Sequence, residues 1–188
     1  QRIKAEFESR EAKLKQEAAR RAQDAQERER RLAQFSKVCD ELKSVWGPRI
    51  EEFAKQFGDK IKVTPNITPS QREAKVVFLT ELASVTLTLT ASTSADMSGL
   101  VLDYDLLIVP MFIEYERHAR LEMPLDKVDR EAVGKWFDDR LIGCVKAYLT
   151  LQDNEFYQKR AMVEDPITKA RFLPADAAAK LEHNGQTV

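Results

Sequence analysis

Apolar residues in the first quarter of the chain recur every three or four positions. The clearest run is Leu32, Phe35, Cys39, Leu42 and Trp46. Steps of seven extend it backwards to two alanines, Ala25 and Ala18. This spacing places the side chains on one face of a helix, as in the seam of a coiled coil. With no glycine or proline before position 47, the sequence predicts a helix from residue 1 to about residue 57.

Three interpretations of this charge-rich helix are open. A coiled coil would pair it with a second copy or with a partner helix. A single solvated helix would be held by opposite charges three or four residues apart, such as Glu6 and Arg10. A nucleic-acid-binding arm is the third, but residues 1–31 carry only ten Arg and Lys against seven Asp and Glu. We therefore do not expect nucleic acid as a partner.

Gly47-Pro48 is predicted either to kink the long helix or to end it and start a new one, because proline disrupts an established helix. A short helix should then restart and end at Gly58, a residue suited to a helix C-terminus. The sequence thus predicts three units: a coiled-coil-like helix over residues 1–46, a globular domain over residues 47–160, and a last segment over residues 161–188.

The middle third of the chain changes to a period of two. Between Ser84 and Thr90, apolar residues alternate strictly with threonine, which is typical of a half-buried antiparallel strand. A loop is predicted at Pro65, Asn66, Pro69 and Ser70. Further strands are predicted at residues 60–64, 75–82, 100–109 and 111–122. Short connections favour an antiparallel meander of about five strands.

Helical spacing returns after Asp126, which is a suitable N-cap residue. The apolar positions that follow predict one long helix, with its end near Tyr157. One face of this helix should cover one face of the sheet. The predicted fold is therefore α+β: a long N-terminal helix, an antiparallel meander of about five strands packed on a long C-terminal helix, and the last segment.

Composition limits the class of protein. The chain has 188 residues, of which 43% are hydrophobic and 32% charged, and its formal net charge is −1. Cys39 and Cys144 lie far apart in the sequence, so they form no disulfide framework of closely spaced cysteines and lack the paired Cys/His spacing of a zinc site. No stretch has the ~20 apolar residues of a membrane span. The chain starts on Gln1 and in mid-helix, so we expect a piece of a longer protein, which leaves room for an upstream anchor.

The last 25 residues have an ordered motif. Asp165-Pro166 opens it, Arg171-Phe172 follows as a predicted short strand, and His183-Asn184-Gly185 comes after a run of alanines. Residues 164–188 thereby resemble the start of a YHS-type domain. That family places a proposed metal-ligating cysteine where this chain has Thr168, and a hydroxyl is a poor ligand for a soft metal. The resemblance implies a packing or contact module, with Asp165 and His183 as candidate metal ligands.

Candidate catalytic residues are few. Of the two histidines, His118 lies in a charged strand and is expected to face solvent; the alternative is a general base or a ligand. Asp103 and Asp105 share one strand face, and paired carboxylates can share a proton or a metal ion. We expect these two to line the wet side of the sheet. The sequence predicts a protein without catalytic activity and without a cofactor.

The function that the sequence favours is assembly or adaptation through the N-terminal helix, by self-association or by binding a partner protein. The residues predicted to carry the association are Leu32, Phe35, Cys39, Leu42 and Trp46. The same apolar surface would alternatively belong to the core of the domain. The competing function is a small-molecule or metal-binding module, which uses a cavity between sheet and helix or the YHS-like segment.

Overall fold

The computed structural model of this chain describes residues 2–164 and three two-residue strands beyond them, with side chains for residues 10–164. Helix α1 spans Arg2–Phe57 and leads into a 3₁₀ turn at Gly58–Lys60. The strands that follow are β1 (Ile61–Thr68), β2 (Gln71–Phe78), β3 (Ser84–Thr93), β4 (Gly99–Val109) and β5 (His118–Pro124). The remaining elements are α2 (Arg130–Asp153), α3 (Glu155–Ala161), β6 (Val163–Glu164), β7 (Arg171–Phe172), β8 (Glu182–His183) and β9 (Gln186–Thr187).

The main sheet has the order β1-β2-β3-β4-β5, and every neighbouring pair is antiparallel. This confirms the predicted five-stranded meander and the α+β fold. Two further antiparallel pairs, β6 with β7 and β8 with β9, lie in the last segment. Strand β7 coincides with the short strand predicted there.

One face of the sheet forms the core. On β3 and β4 the inward positions are buried, including Leu87 and Leu102, as the alternating pattern predicts. They belong to one hydrophobic cluster with Phe35 and Leu42 of α1 and Phe137 of α2. The two helices therefore cover the same face of the sheet, and the threonines of β3 point to the other face.

The predicted restart at Gly47-Pro48 is wrong, because α1 continues through both residues. Proline normally clashes with the Cβ of the preceding residue when that residue is helical. Gly47 has no Cβ, so the clash is relieved. Apolar residues on both sides of Pro48, such as Cys39 and Phe53, are buried in the same core, and this packing offsets the lost hydrogen bond.

Pro65 and Asn66 lie inside β1 and not in the predicted loop. Hydrogen-bonded pairs alternate along an antiparallel ladder, and the Leu79 N–H donates to the Lys60 carbonyl at 2.7 Å. By this alternation Thr64 and Asn66 exchange bonds with β2, whereas the Pro65 nitrogen points away from it. Strand β1 is the edge of the sheet, and a backbone nitrogen that points to this free edge needs no hydrogen. Proline is therefore tolerated at this position.

The remaining boundaries shift by a few residues. Strand β2 begins and ends four residues earlier than predicted, and β5 is shorter, with residues 110–117 forming a loop. Helix α2 begins after Asp129 and not Asp126, because the Asp129 side chain accepts from the Glu131 and Ala132 N–H groups at 2.9 and 3.1 Å. Asn154 then ends α2 and caps α3, so the predicted single helix is two.

Candidate functional site

A groove lies between α1 and the β1–β2 side of the sheet, with a volume of about 230 Å³. Trp46 and Ile50 line it from α1, Phe137 from α2, and Pro65 and Ile67 from β1. The volume is just below the range of roughly 300–1,000 Å³ that is usual for small-molecule sites. An apolar cavity between helix and sheet is the type of site that the ligand-binding hypothesis requires.

The groove exists because the helices leave part of the inward sheet face uncovered. Strand β1 places Val63 and Ile67 on this face, since Val63 pairs with the buried Val76 of β2. Val76 is 1% exposed, but Val63 is 38% and Ile67 is 70% exposed. A strip of apolar surface thus continues from the closed core out to the edge of the sheet.

Arg72 holds a fixed positive charge at this groove. Its Nη1 donates to the carbonyls of Thr68 and Gln71, its Nη2 donates to Ser36 Oγ at 2.9 Å, and the guanidinium lies 5.8 Å from the centre of the Phe35 ring. The ion pairs among the described residues do not include Arg72. The side chain is therefore positioned by neutral groups, and its charge has no carboxylate partner in the described part of the chain.

The other charged residues that line the groove are Lys43 and Asp40 of α1 and Glu73 of β2. Side chains alternate between the two faces of a strand, so Glu73 points away from the face on which Arg72 lies. Glu73 also accepts a hydrogen bond from Gln71 Nε2 at 3.0 Å. The side chains directed at the groove then carry two positive charges and one negative charge.

Cys39 contributes a thiol to the groove lining. Burial raises its pKa to about 11, although the nearby Arg72 acts in the opposite direction. Burial likewise raises the pKa of Cys144 to about 12. Both groups are therefore neutral thiols near pH 7, and neither has the thiolate character that a nucleophile or a soft-metal ligand needs.

The residues of the predicted association seam lie in the core of the same chain. Phe35, Cys39 and Leu42 are 0–2% exposed, which leaves no surface for a partner. Leu32 and Trp46 are half-buried, and the Trp46 ring lies 5.9 Å from that of Phe137. The core alternative is thus the correct one for the three buried residues. Their seven-residue spacing serves packing on the sheet, which needs the same helical periodicity as a coiled coil.

The preceding part of α1 has different surroundings. Every side chain of residues 10–26 is exposed, and we call this stretch the arm. At 1.5 Å per residue the arm is about 25 Å long. Beyond the arm, Arg31 connects α1 to the sheet, because it donates to the Asp96 carbonyl at 2.5 Å in the β3–β4 turn.

The two aspartates of the strand face are paired with Arg120 and His118 of β5. Asp103 accepts two hydrogen bonds from Arg120, at 2.7 and 3.2 Å, and Asp105 Oδ2 lies 2.9 Å from His118 Nδ1. These residues lie on the sheet face away from the helices, and the His118 side chain is 63% exposed. The expectation that His118 faces solvent is confirmed.

Within the described residues, no group of three or more His, Cys, Asp and Glu side chains could hold a metal ion. Asp165 lies outside those residues, and His183 is described only as backbone of β8. The metal role of these two residues stays a prediction.

Among the residues that the structure describes, no helix combines the length and the apolar character needed to cross a membrane.

No protein-family model, curated protein or solved structure matches this chain. The relationship to YHS domains therefore stays a prediction, and functional conclusions depend on the geometry of the chain itself.

Sequence reasoning missed Arg72 as a groove residue, although a signal was present. Strand β2 places Arg72, Ala74, Val76 and Phe78 on one face. A charged residue in register with buried apolar ones indicates a polar group at the margin of the core. The shifted β2 boundary hid this register, because the strand was predicted to begin at residue 75.

Proposed function

We propose that this is a non-catalytic assembly or adaptor protein whose arm pairs with the arm of a second copy or with a partner helix. The observation that supports this proposal is the full exposure of residues 10–26, next to a helical segment that is buried in the domain. A long solvated helix fixed at one end to a folded domain presents a rigid surface at little cost in ordering.

Within this proposal the coiled-coil seam of the arm consists of Leu14, Ala18 and Ala25, which continue the seven-residue spacing. Leu14 is 58% exposed and is the largest apolar side chain of the arm. Small alanines make this a weak seam, so we expect the oligomer to dissociate when the protein is diluted.

Light scattering over a range of protein concentrations tests the self-association form of the proposal. We expect the unmodified chain to be oligomeric and the double variant Leu14→Asp, Ala18→Asp to be monomeric, because charged residues in a seam are left without partners. The matched control is Gln16→Asp with Gln23→Asp, which adds the same charge opposite the seam. A monomeric unmodified chain at every concentration would contradict self-association.

The YHS-like segment is part of the same proposal as a contact module. Thr168 in place of cysteine supports a packing role over a metal role. Elemental analysis of protein purified without added metal is the corresponding measurement, and we expect no stoichiometric metal.

A second candidate function is supported by the groove beside α1. We propose that it binds a small apolar molecule, because Ile67 and Val63 would otherwise leave part of the inward sheet face in water. The two functions are compatible, since the arm and the groove lie on different parts of the chain.

A further inference from the structure

We infer that the groove between α1 and β1 binds a free amphiphilic carboxylate, with its apolar chain against Ile67 and Trp46 and its carboxylate between Arg72 and Lys43. This inference rests on the second candidate function and assigns the chemical class of its ligand.

The apolar half of the ligand is indicated by the exposed wall of the groove. Ile67 is 70% exposed although it lies on the inward side of the sheet, and Trp46, Ile50 and Pro65 face the same space. An unbranched chain laid along this wall would cover the apolar strip and extend the core of the domain. The volume of about 230 Å³ suits a chain of medium length.

The charged half is indicated by Arg72. Its Nη1 has two carbonyl acceptors and its Nη2 has one hydroxyl acceptor, while its Nε makes no hydrogen bond to any described residue. A carboxylate can accept from Nε and from the second Nη2 hydrogen. Charge-assisted bonds of this type are the stronger hydrogen bonds in proteins, and the fixed position of the guanidinium lowers the ordering cost of binding.

Lys43 and Asp40 refine the choice of ligand. Lys43 has no ion-pair partner among the described residues and extends from α1 on the other side of the groove. It supplies a second, movable positive charge. Asp40 lies about one helical turn before Lys43 and would repel a second negative charge on the ligand. The site therefore favours a ligand with one carboxylate over a ligand with two.

Isothermal titration calorimetry of the full chain with three ten-carbon probes tests the inference. We expect decanoate to bind at one molecule per chain and decanol at least tenfold more weakly, since decanol lacks the charge. Decylammonium should bind more weakly than decanol, because it places a positive charge next to Arg72 and Lys43.

Variants locate the two halves of the site. Lys43→Gln should weaken decanoate binding about three- to tenfold and leave decanol binding unchanged, and Arg72→Gln should weaken decanoate binding tenfold or more. The matched control is Lys37→Gln, an exposed lysine of α1 outside the groove. Ala74→Phe, which fills the groove, should abolish binding of both probes. Circular dichroism checks the fold of each variant, and Lys43→Gln keeps the test valid if Arg72→Gln does not fold.

Two results would overturn the inference in different ways. Equal affinity for decanoate and decanol, with no effect of Lys43→Gln, would remove the carboxylate assignment and leave the groove as an apolar site. Absence of saturable binding by either probe would remove both the assignment and the second candidate function.

Discussion

Gly134 and Gly143 occupy two positions of α2 with opposite surroundings. A Cβ at Gly134 would lie 2.9 Å from Arg49 Nη2 and 3.5 Å from Val45 Cγ1, whereas a Cβ at Gly143 would meet nothing within 4 Å. Arg49 uses this space to donate to both carboxylate oxygens of Asp138, at 2.8 and 3.1 Å. Because Gly134 has no side chain, the ion pair between Arg49 of α1 and Asp138 of α2 can form at this point.

We predict opposite outcomes for alanine at the two glycines. Gly143→Ala should raise the free energy of unfolding by about 0.5–1 kcal/mol, because alanine favours the helix and nothing obstructs its methyl group. Gly134→Ala should give no such gain, since the methyl group displaces Arg49 from Asp138. Urea denaturation measures both values.

The Arg49→Ala background provides the control for this pair. With the guanidinium removed, Gly134→Ala should recover a gain similar to that of Gly143→Ala. If Gly134→Ala stabilises the unmodified chain as much as Gly143→Ala does, the close approach of Arg49 has no energetic consequence.

At the scale of elements, α1 combines two environments in one uninterrupted helix. Residues 10–26 are solvated, the stretch that follows packs on the sheet, and Pro48 lies within the second stretch. A proline inside a helix costs about 3 kcal/mol relative to alanine. Tertiary packing of the residues on either side outweighs this local preference.

Pro48→Ala should therefore stabilise the protein, by about 1–3 kcal/mol, because it restores a helical hydrogen bond at an exposed position. Thermal or urea denaturation measures the change. Gly47→Ala alone should not stabilise, since its Cβ would meet the proline ring, but it should do so in the Pro48→Ala background. A loss of stability in Pro48→Ala would mean that the core requires the geometry that proline imposes.

At the scale of the whole molecule, Tyr157 joins α3 to the β4–β5 loop. Tyr157 of α3 is fully buried, and its hydroxyl donates to the Pro110 carbonyl at 2.7 Å and accepts from the Phe112 N–H at 2.8 Å. Its ring also lies 5.0 Å from that of Phe112. These contacts hold the β4–β5 loop against α3.

Tyr157→Phe should lower the free energy of unfolding by about 1–3 kcal/mol, because it leaves the Pro110 carbonyl and the Phe112 N–H without their partner. Urea denaturation gives the value, and hydrogen exchange at Phe112 should become faster. Tyr115→Phe is the control: its hydroxyl accepts from Ile108 N–H at 2.9 Å but is only half-buried, so water can replace it. Equal effects of the two changes would argue against a special role for Tyr157.

The sequence by itself determined the elements whose pattern is local. The alternation of β3 and the helical spacing around Phe35 and Leu42 identified the sheet, α1 and the faces they bury, because side-chain direction follows directly from helix or strand geometry. The α+β class follows from these elements in order.

Only the tertiary structure decided what the buried faces contact. The same spacing at Phe35, Cys39 and Leu42 suits a partner helix or the sheet of the same chain, and the folded chain selects the sheet. Likewise Pro48 lies inside α1 and Pro65 inside β1, although proline normally disfavours both elements. Packing of α1 on the sheet offsets the hydrogen bond lost at Pro48, and the Pro65 nitrogen points to the free edge of the sheet, where no hydrogen bond is needed. The groove at Arg72 depends on how far α1 and α2 extend over β1, and no local pattern encodes that distance.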